Sequence, residues 1–270
     1  HRMHRLAPRV LPQGRAYAEP EDPASGEEVL DPHEARRLER LRLWDEDVDP
    51  DEAALDRAAL GRALHALLES LPPGAERATD DAIERVLATE GIGDVEAAVS
   101  RLQAMVGRFA ASSTGRTVAR ALEAGDDVRR ETAFHARIRF PAGERVGGFD
   151  SLLVRGSIDL WVPGPDGRIH VVDHKTNRPG PRLPTPEAVG AHYAWQLRLY
   201  ALAAERLRGE DVAGARLLLL DPGWGENAVE VEVDVDGPAL ERTRQLCRAY
   251  AVAALEDRWP ASWEPLLQVD

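Results

Sequence analysis

Two acids and one lysine set the chemistry this chain could perform. Asp159 lies in the apolar run 152–162 (LLVRGSIDLWV), Asp173 and Lys175 lie in 168–176 (RIHVVDHKT), and Pro-Gly-Pro-Asp-Gly at 163–167 turns one run into the other. Side chains two apart on a β-strand project from one face, so Asp173 and Lys175 point one way and His174 the other. A hairpin brings Asp159 beside them. Two carboxylates converging on one point repel unless a cation lies between them, and hard oxygen ligands favour Mg2+ or Mn2+. An ammonium next to such an ion can orient a water molecule and stabilise negative charge developing at phosphorus. Together these are the parts of metal-assisted phosphodiester hydrolysis. Taken alone, an Asp-x-Lys at a strand end is also an ordinary surface ion pair.

Composition singles out the lysine. Lys175 is the only lysine in 270 residues; the other 33 of the 34 Lys+Arg are arginine. A phosphate loop needs a lysine after its second glycine, and Lys175 follows His174, so the chain carries no Walker-type nucleotide site and no motor. A protein kinase is excluded as well, because its lysine belongs on an early strand opposite a Gly-rich loop. The net charge of −13 argues against a broad basic surface for nucleic acid, so a phosphate-bearing substrate must be held by metal ions or delivered by a partner. Cys247 is the single cysteine, which excludes disulfides and Cys-ligated iron–sulfur clusters and suggests a reducing, cytoplasmic setting. A hydrophobic content of 43% with 30% charged residues, and no apolar run of about 18 residues, indicates a globular chain outside the membrane. The start, His1-Arg2-Met3-His4-Arg5, lacks a signal-peptide core and an initiating Met, and suggests a piece of something longer.

These residues need a scaffold to position them. Residues 15–32 are rich in Pro, Gly and acid, 31–44 has a charged helical pattern, and 45–51 is an acidic link; the acids from Glu46 to Glu52 lack the spacing of a calcium loop. From Asp56 a helical period sets in, with Leu60, Leu64, Leu67 and Leu68 on one stripe, ended by Leu71-Pro72-Pro73-Gly74. Further helices are expected at about 79–90, 93–112 and 115–124, then strands at 128–140, 152–162 and 168–176. A helix over about 186–208, strands near 213–220 and 228–235, and a last helix over 238–257 complete a mixed α/β order.

The spaced motifs GSID (156–159), VVDHKT (171–176) and QLRLY (196–200) resemble the PD-(D/E)XK nuclease superfamily, specifically the C-terminal nuclease domain of AddA and RecB helicase–nucleases. GRALH (61–65) is similar to that family's helix bearing a metal-binding His, and RETAF (130–134) to its strand bearing a Glu. The resemblance spans about residues 56–236. It implies a restriction-endonuclease-like α/β fold, with a central mixed sheet flanked by helices and an N-terminal helical region. Residues 1–54 then form an arm and 55–270 the nuclease domain, helical over about 55–125, with its sheet core over 126–236 and a C-terminal helix and tail over 237–270.

Carried over position by position, the resemblance implies that His65, Asp159, Asp173 and the main-chain carbonyl of His174 bind Mg2+, with Mn2+ able to substitute. Lys175 would place the attacking water, Glu131 would lie at the edge of the site, and Gln196 and Tyr200, four apart on one helical face, would help place DNA or Lys175. Arg178 is a candidate phosphate contact. The family usually has Tyr where this chain has His174. From residue type alone His65 reads equally as a packed core histidine, Glu131 as solvent-facing, and Gln196 and Tyr200 as part of an amphipathic helix. His135, His170 and His192 lack metal-ligand spacing; Trp195, Trp224, Trp259 and Trp263 could stack on bases, although late tryptophans flanked by Pro260 and Pro265 more often pin a C-terminal tail. The implied function is hydrolysis of single-stranded DNA, coupled to a helicase motor on the same chain or a partner subunit, in end processing and recombinational repair. A catalytically inactive scaffold or DNA-binding module is the alternative, although such relatives usually lose an acid or the lysine.

Overall fold

The computed structural model describes residues 54–258, apart from 94, 165, 166 and 210. The expected arm, its helix at 31–44, and Trp259 and Trp263 lie outside the described residues. Four helices come first: α1 (Ala54–Ser70), α2 (Asp80–Glu90), α3 (Val95–Ala111) and α4 (Ser113–Ala124). Strands β1 (Arg129–Arg139), β2 (Ser151–Pro163) and β3 (Ile169–Lys175) follow, then helix α5 (Pro186–Arg208) and strand β4 (Gly214–Leu219). A 3-10 turn (Pro222–Trp224), β5 (Val229–Val233) and α6 (Gly237–Glu256) complete the fold, in the order the sequence pattern predicts.

Local chemistry fixes the ends of these elements. Thr185 caps α5 by accepting from the Ala188 N–H, Pro186 supplies a preset first turn, and Gly209 closes the helix at φ 76°. Gly115 permits the tight step from α3 to α4, because a Cβ there would clash with the Phe109 carbonyl oxygen.

The five strands form one sheet in the order β1-β2-β3-β4-β5. All neighbours are antiparallel except β3 and β4, the parallel central pair joined by the α5 crossover. That pair is covered on both sides, which is why Leu217–Leu220 is a continuous apolar run. One face packs on α5 and α6, with Ile158, Trp161, Val171 and Leu217 meeting Leu197, Tyr200 and Leu246. The other packs on α1 to α4, with Leu160, Val162, Val172 and Leu218 meeting Leu64, Leu102 and Met105.

The alternation of faces breaks at one level of the sheet. In β2, Leu152, Val154 and Ile158 face α5 and α6, but so does Trp161, while Leu160 and Val162 face the other way. The phase therefore changes at Asp159. In β1, Phe134, Ala136 and Ile138 face α5 and α6. Arg129 does too, its guanidinium 4.9 Å from the Trp161 ring centre, yet Arg130 reaches the opposite side to donate to the carbonyls of Glu69 and Leu71. Here the change falls at Glu131, whose φ of 44° lies in the left-handed region. Glu131 and Asp159 share a level between the pairs Arg130↔Leu160 and Thr132↔Ile158. Holding a residue with a Cβ in that conformation costs about 1–2 kcal/mol, which the flanking ladder must offset. The β2–β3 ladder also stops here, at Leu160↔Val172, and the Asp159 carboxylate takes the next strand position by accepting the His174 N–H at 2.8 Å.

Candidate active site

The predicted residues gather where β2 and β3 part. α1 lays His65 over the gap: its Nδ1 is 2.9 Å from Glu131 Oε1 and 3.5 Å from Asp159 Oδ2. Ser157 on β2 donates to the other Glu131 oxygen at 3.3 Å. Glu131 thus faces inward rather than to water, and the twist of the backbone at that residue aims it there.

His174 differs from the simplest expectation. Its side chain leaves β3 on the face opposite Asp173 and Lys175, as alternation requires, but α1 and α3 cover that face. The imidazole packs edge-on to Phe109 at 5.4 Å and lies 5.9 Å from the His65 ring, with Nδ1 3.9 Å from Asp159 Oδ2. His65, Asp159 and His174 each offer one ligand atom, all within 4.8 Å of one another. Asp159 Oδ1 and His174 Nε2 are buried and find no hydrogen-bond partner among the described residues. One imidazole nitrogen and one carboxylate oxygen are thus left without a partner beside the His65 ring, a donor set that fits a divalent cation.

On the α5 side, Lys175 Nζ sits 2.7 Å from Asp173 Oδ2 and donates to Gln196 Oε1 at 3.2 Å. The Gln196 amide donates to Asp173 Oδ1 at 3.2 Å and to Tyr200 Oη at 2.6 Å. Gln196 and Tyr200 are therefore both in this group, on one face of α5 as their spacing predicts. Asp173 is turned toward Lys175 and Gln196 and stands outside the His65–Asp159–His174 cluster. Sequence reasoning missed Tyr193, whose ring centre lies 4.3 Å from Lys175 Nζ and whose hydroxyl donates to Asn177 Oδ1 at 3.2 Å. Its position three residues before Gln196 on α5 was the available signal.

Arg178 lies at the rim, its side chain 55% exposed, with Nε 3.7 Å from the buried Asp221 carboxylate that also pairs with Arg101. Among the other aromatic candidates, Trp195 is a core residue and Trp224 donates its indole N–H to the Asn177 carbonyl at 2.6 Å. Both pack on the α5 side core, which leaves neither ring free to stack on a base.

The buried charges reset one another. Burial opposes the charge on His65, but Asp159 and then Glu131 outweigh it and push the imidazole up to about 9. Burial, and then Asp173, hold the Asp159 carboxyl well above its ordinary range, only partly offset by His65 and Lys175. Burial and the neighbouring His65 charge keep His174 well below its usual value, so it is neutral with a lone pair to offer. Burial disfavours the Lys175 ammonium, yet Asp173 dominates and holds it above the ordinary lysine range. Burial, with the nearby acids, keeps Tyr200 a phenol. Three buried acids gathered beside the Lys175 ammonium, the His65 ring and a neutral His174 imidazole suit a divalent cation and a phosphate.

Residues 32–264 match the PD-(D/E)XK nuclease superfamily. An ATP-dependent helicase/nuclease subunit of Pelotomaculum thermopropionicum is 30% identical over 181 residues, 64% of this chain and 14% of that protein. The chain thus spans 14% of the length of that curated relative. The solved structure of SSO0001 aligns over 73% of this chain and 93% of its own, at 17% identity and a TM-score of 0.31. No helix among the described residues is long and apolar enough to cross a membrane.

Proposed function

We propose that this chain, which belongs to the PD-(D/E)XK nuclease superfamily, hydrolyses phosphodiester bonds of single-stranded DNA with the help of Mg2+, as the nuclease part of a helicase–nuclease. The observation that carries this reading is the convergence of His65, Asp159 and His174 on one side of the β2–β3 gap with the Asp173–Lys175 pair on the other. Similarity to a helicase/nuclease subunit supports delivery of the strand by a motor, on the same chain or a partner, and we place that activity in DNA end processing and repair.

On this reading His65 and Asp159, with the main-chain carbonyl of His174, would hold the cation, Asp173 would join them by turning one oxygen from its present partners Lys175 and Gln196, and the His174 imidazole is a further nitrogen within reach. Mn2+ would substitute for Mg2+. When bound, the cation supplies a Lewis acid that polarises the scissile phosphate and neutralises its charge. The Asp173 carboxylate favours the charged form of Lys175. Its ammonium donates hydrogen bonds, orienting the attacking water and stabilising charge on the phosphoryl oxygens as the bond to the leaving oxygen breaks. Gln196 fixes Lys175 and Asp173 at once, since its amide oxygen accepts from one while its nitrogen donates to the other. Tyr200 holds the Gln196 amide in that orientation. Glu131 orients His65, and Arg178 is placed to meet a phosphate at the rim. Residues 55–270 would form the nuclease domain, and a strand fed by a motor arrives at high effective concentration, so a chain of charge −13 needs little affinity of its own.

An end-labelled single-stranded oligonucleotide incubated with Mg2+, with Mn2+ and with a chelator tests this. The expected result is shortening with either metal and none with chelator. An intact label under all three conditions would refute the reading, and equal cleavage of an RNA strand would remove its DNA specificity.

A further inference from the structure

Beyond the level of Glu131 and Asp159, the β1–β2 hairpin continues with one face packed and the other bare. Phe134, Ala136, Ile138, Leu152 and Val154 are buried against α5 and α6. On the opposite face His135, Arg137 and Arg139 are exposed and Arg155 is half-buried, and the exposure of this stretch shows no described helix lying over it. The ladder sets His135 across from Arg155, Arg137 across from Leu153, and Arg139 across from Ser151. The next cross-strand pair toward the site is Ala133↔Ser157, and Ser157 bonds Glu131. None of the three arginines lies within ion-pair distance of a described carboxylate. Asp150, at the far end, bonds Ser151 and is within electrostatic reach of Arg137 and Arg139. A stripe of three guanidiniums and one imidazole thus runs straight into the site, in a chain of net charge −13.

The geometry points to this bare hairpin face as the track that holds the sugar–phosphate backbone of a single-stranded nucleic acid on its way to the site. Side chains on one face recur roughly every 6.6 Å along a strand, so Arg137 and Arg139 present successive phosphate contacts, with Arg155 and His135 one step nearer the chemistry. Guanidiniums bind phosphate through paired N–H donors, and backbone contacts of this kind select charge and not sequence. Leu153, on the same face, offers apolar surface to a sugar or base edge. The assignment rests on the proposed phosphodiesterase reading, and names which surface feeds that site.

The test measures binding apart from cleavage. A fluorescent single-stranded oligonucleotide is titrated in chelator at several salt concentrations, with the parent, with Arg137→Ala/Arg139→Ala, and with the control pair Arg85→Ala/Arg120→Ala from the exposed surfaces of α2 and α4. Both pairs lower the net charge equally and alter exposed residues, and thermal melts confirm that each is folded. Two lost phosphate contacts should reduce the slope of log affinity against log salt by about 1.4, at roughly 0.7 per contact on a single strand. The control slope should stay at the parent value. With metal present, the hairpin pair should raise KM for the oligonucleotide and leave turnover of a small phosphodiester, bis(p-nitrophenyl) phosphate, at the parent rate. A slope that falls equally in both pairs, or in neither, overturns the assignment. The second of those outcomes is also expected if the face instead holds the acidic stretch 45–52 of this chain. Loss of all hydrolysis by the parent would refute the nuclease reading, and the slopes would still decide the role of this face.

Discussion

Asp159→Asn should make the metal-free protein more stable while removing its response to metal. The Asp159 carboxyl is buried at the level of Glu131 and near Asp173, and burial together with Asp173 holds it well above the ordinary carboxyl range. The unfolded chain therefore gives up this proton first. As pH rises from the ordinary carboxyl range, the fold weakens until the folded carboxyl ionises as well. A carboxamide has no such loss, keeps nearly the same shape, and can still accept the His174 N–H now held at 2.8 Å. Its loss of pairing with His65 works in the other direction, but the net direction of the Asp159 shift shows that the favourable charges only partly offset burial and repulsion. Replacing a buried acid whose ionisation weakens the fold by a neutral isostere stabilises by about 1–2 kcal/mol. For a domain of this size, roughly 2–4 °C per kcal/mol makes that about 2–8 °C in melting temperature. In the parent, Mg2+ at about 100 times its dissociation constant should contribute about 2.7 kcal/mol, roughly 5–11 °C. Melting curves in chelator at pH 7.5 and across a Mg2+ titration should then cross, with the variant ahead without metal and the parent ahead at saturation. Near pH 3 the advantage of the variant should vanish. A variant that is less stable in chelator, or that gains as much from Mg2+ as the parent, would refute the reasoning.

Two further predictions concern the scaffold. Gly115→Ala would press a methyl against the Phe109 carbonyl, a backbone group that cannot turn aside. Overpacking of this kind costs about 3 kcal/mol or more, so calorimetry should show a melting temperature lower by roughly 6–12 °C; an unchanged value would mean the α3–α4 step can flex. Cys247 is fully buried, and burial pushes its thiol up to about 12, so a thiol reagent at pH 8 should leave the native chain unlabelled and modify it once on unfolding. Stoichiometric labelling of the native protein would show that the α6 packing is wrong.

The elements were legible because their signals are local. The Leu60–Leu68 stripe, Thr185-Pro186 ahead of α5, and the turn at 163–167 each fix a boundary from neighbouring residues. The site was legible from spacing, since Asp173 and Lys175 share a strand face and Gln196 and Tyr200 share a helix face. Long-range placement was not. Nothing in RRETAF announces that Glu131 adopts a left-handed conformation, because what imposes it is a level of the sheet at which both β1 and β2 reverse their faces. His174 read as pointing away because alternation gives a face but not what covers it; α1 and α3 make that face part of the site. Tyr193 was hidden in an amphipathic helix, and the tie between Arg178 and Asp221 joins residues that only the β3–β4 pairing brings together. The basic stripe of β1 and β2 was spread through polar strand sequence, and pairing alone aligns its members.

The central claim is that Lys175 is retained for chemistry in a chain that otherwise uses only arginine. Lys175→Arg tests it most directly, assayed as Mg2+-dependent cleavage of end-labelled single-stranded DNA beside the parent and Lys175→Ala. A planar guanidinium cannot occupy the compact position among Asp173, Gln196 and Tyr193, so both variants should remain folded and lose about 100-fold or more in rate. An arginine variant that cleaves at the parent rate would contradict the account.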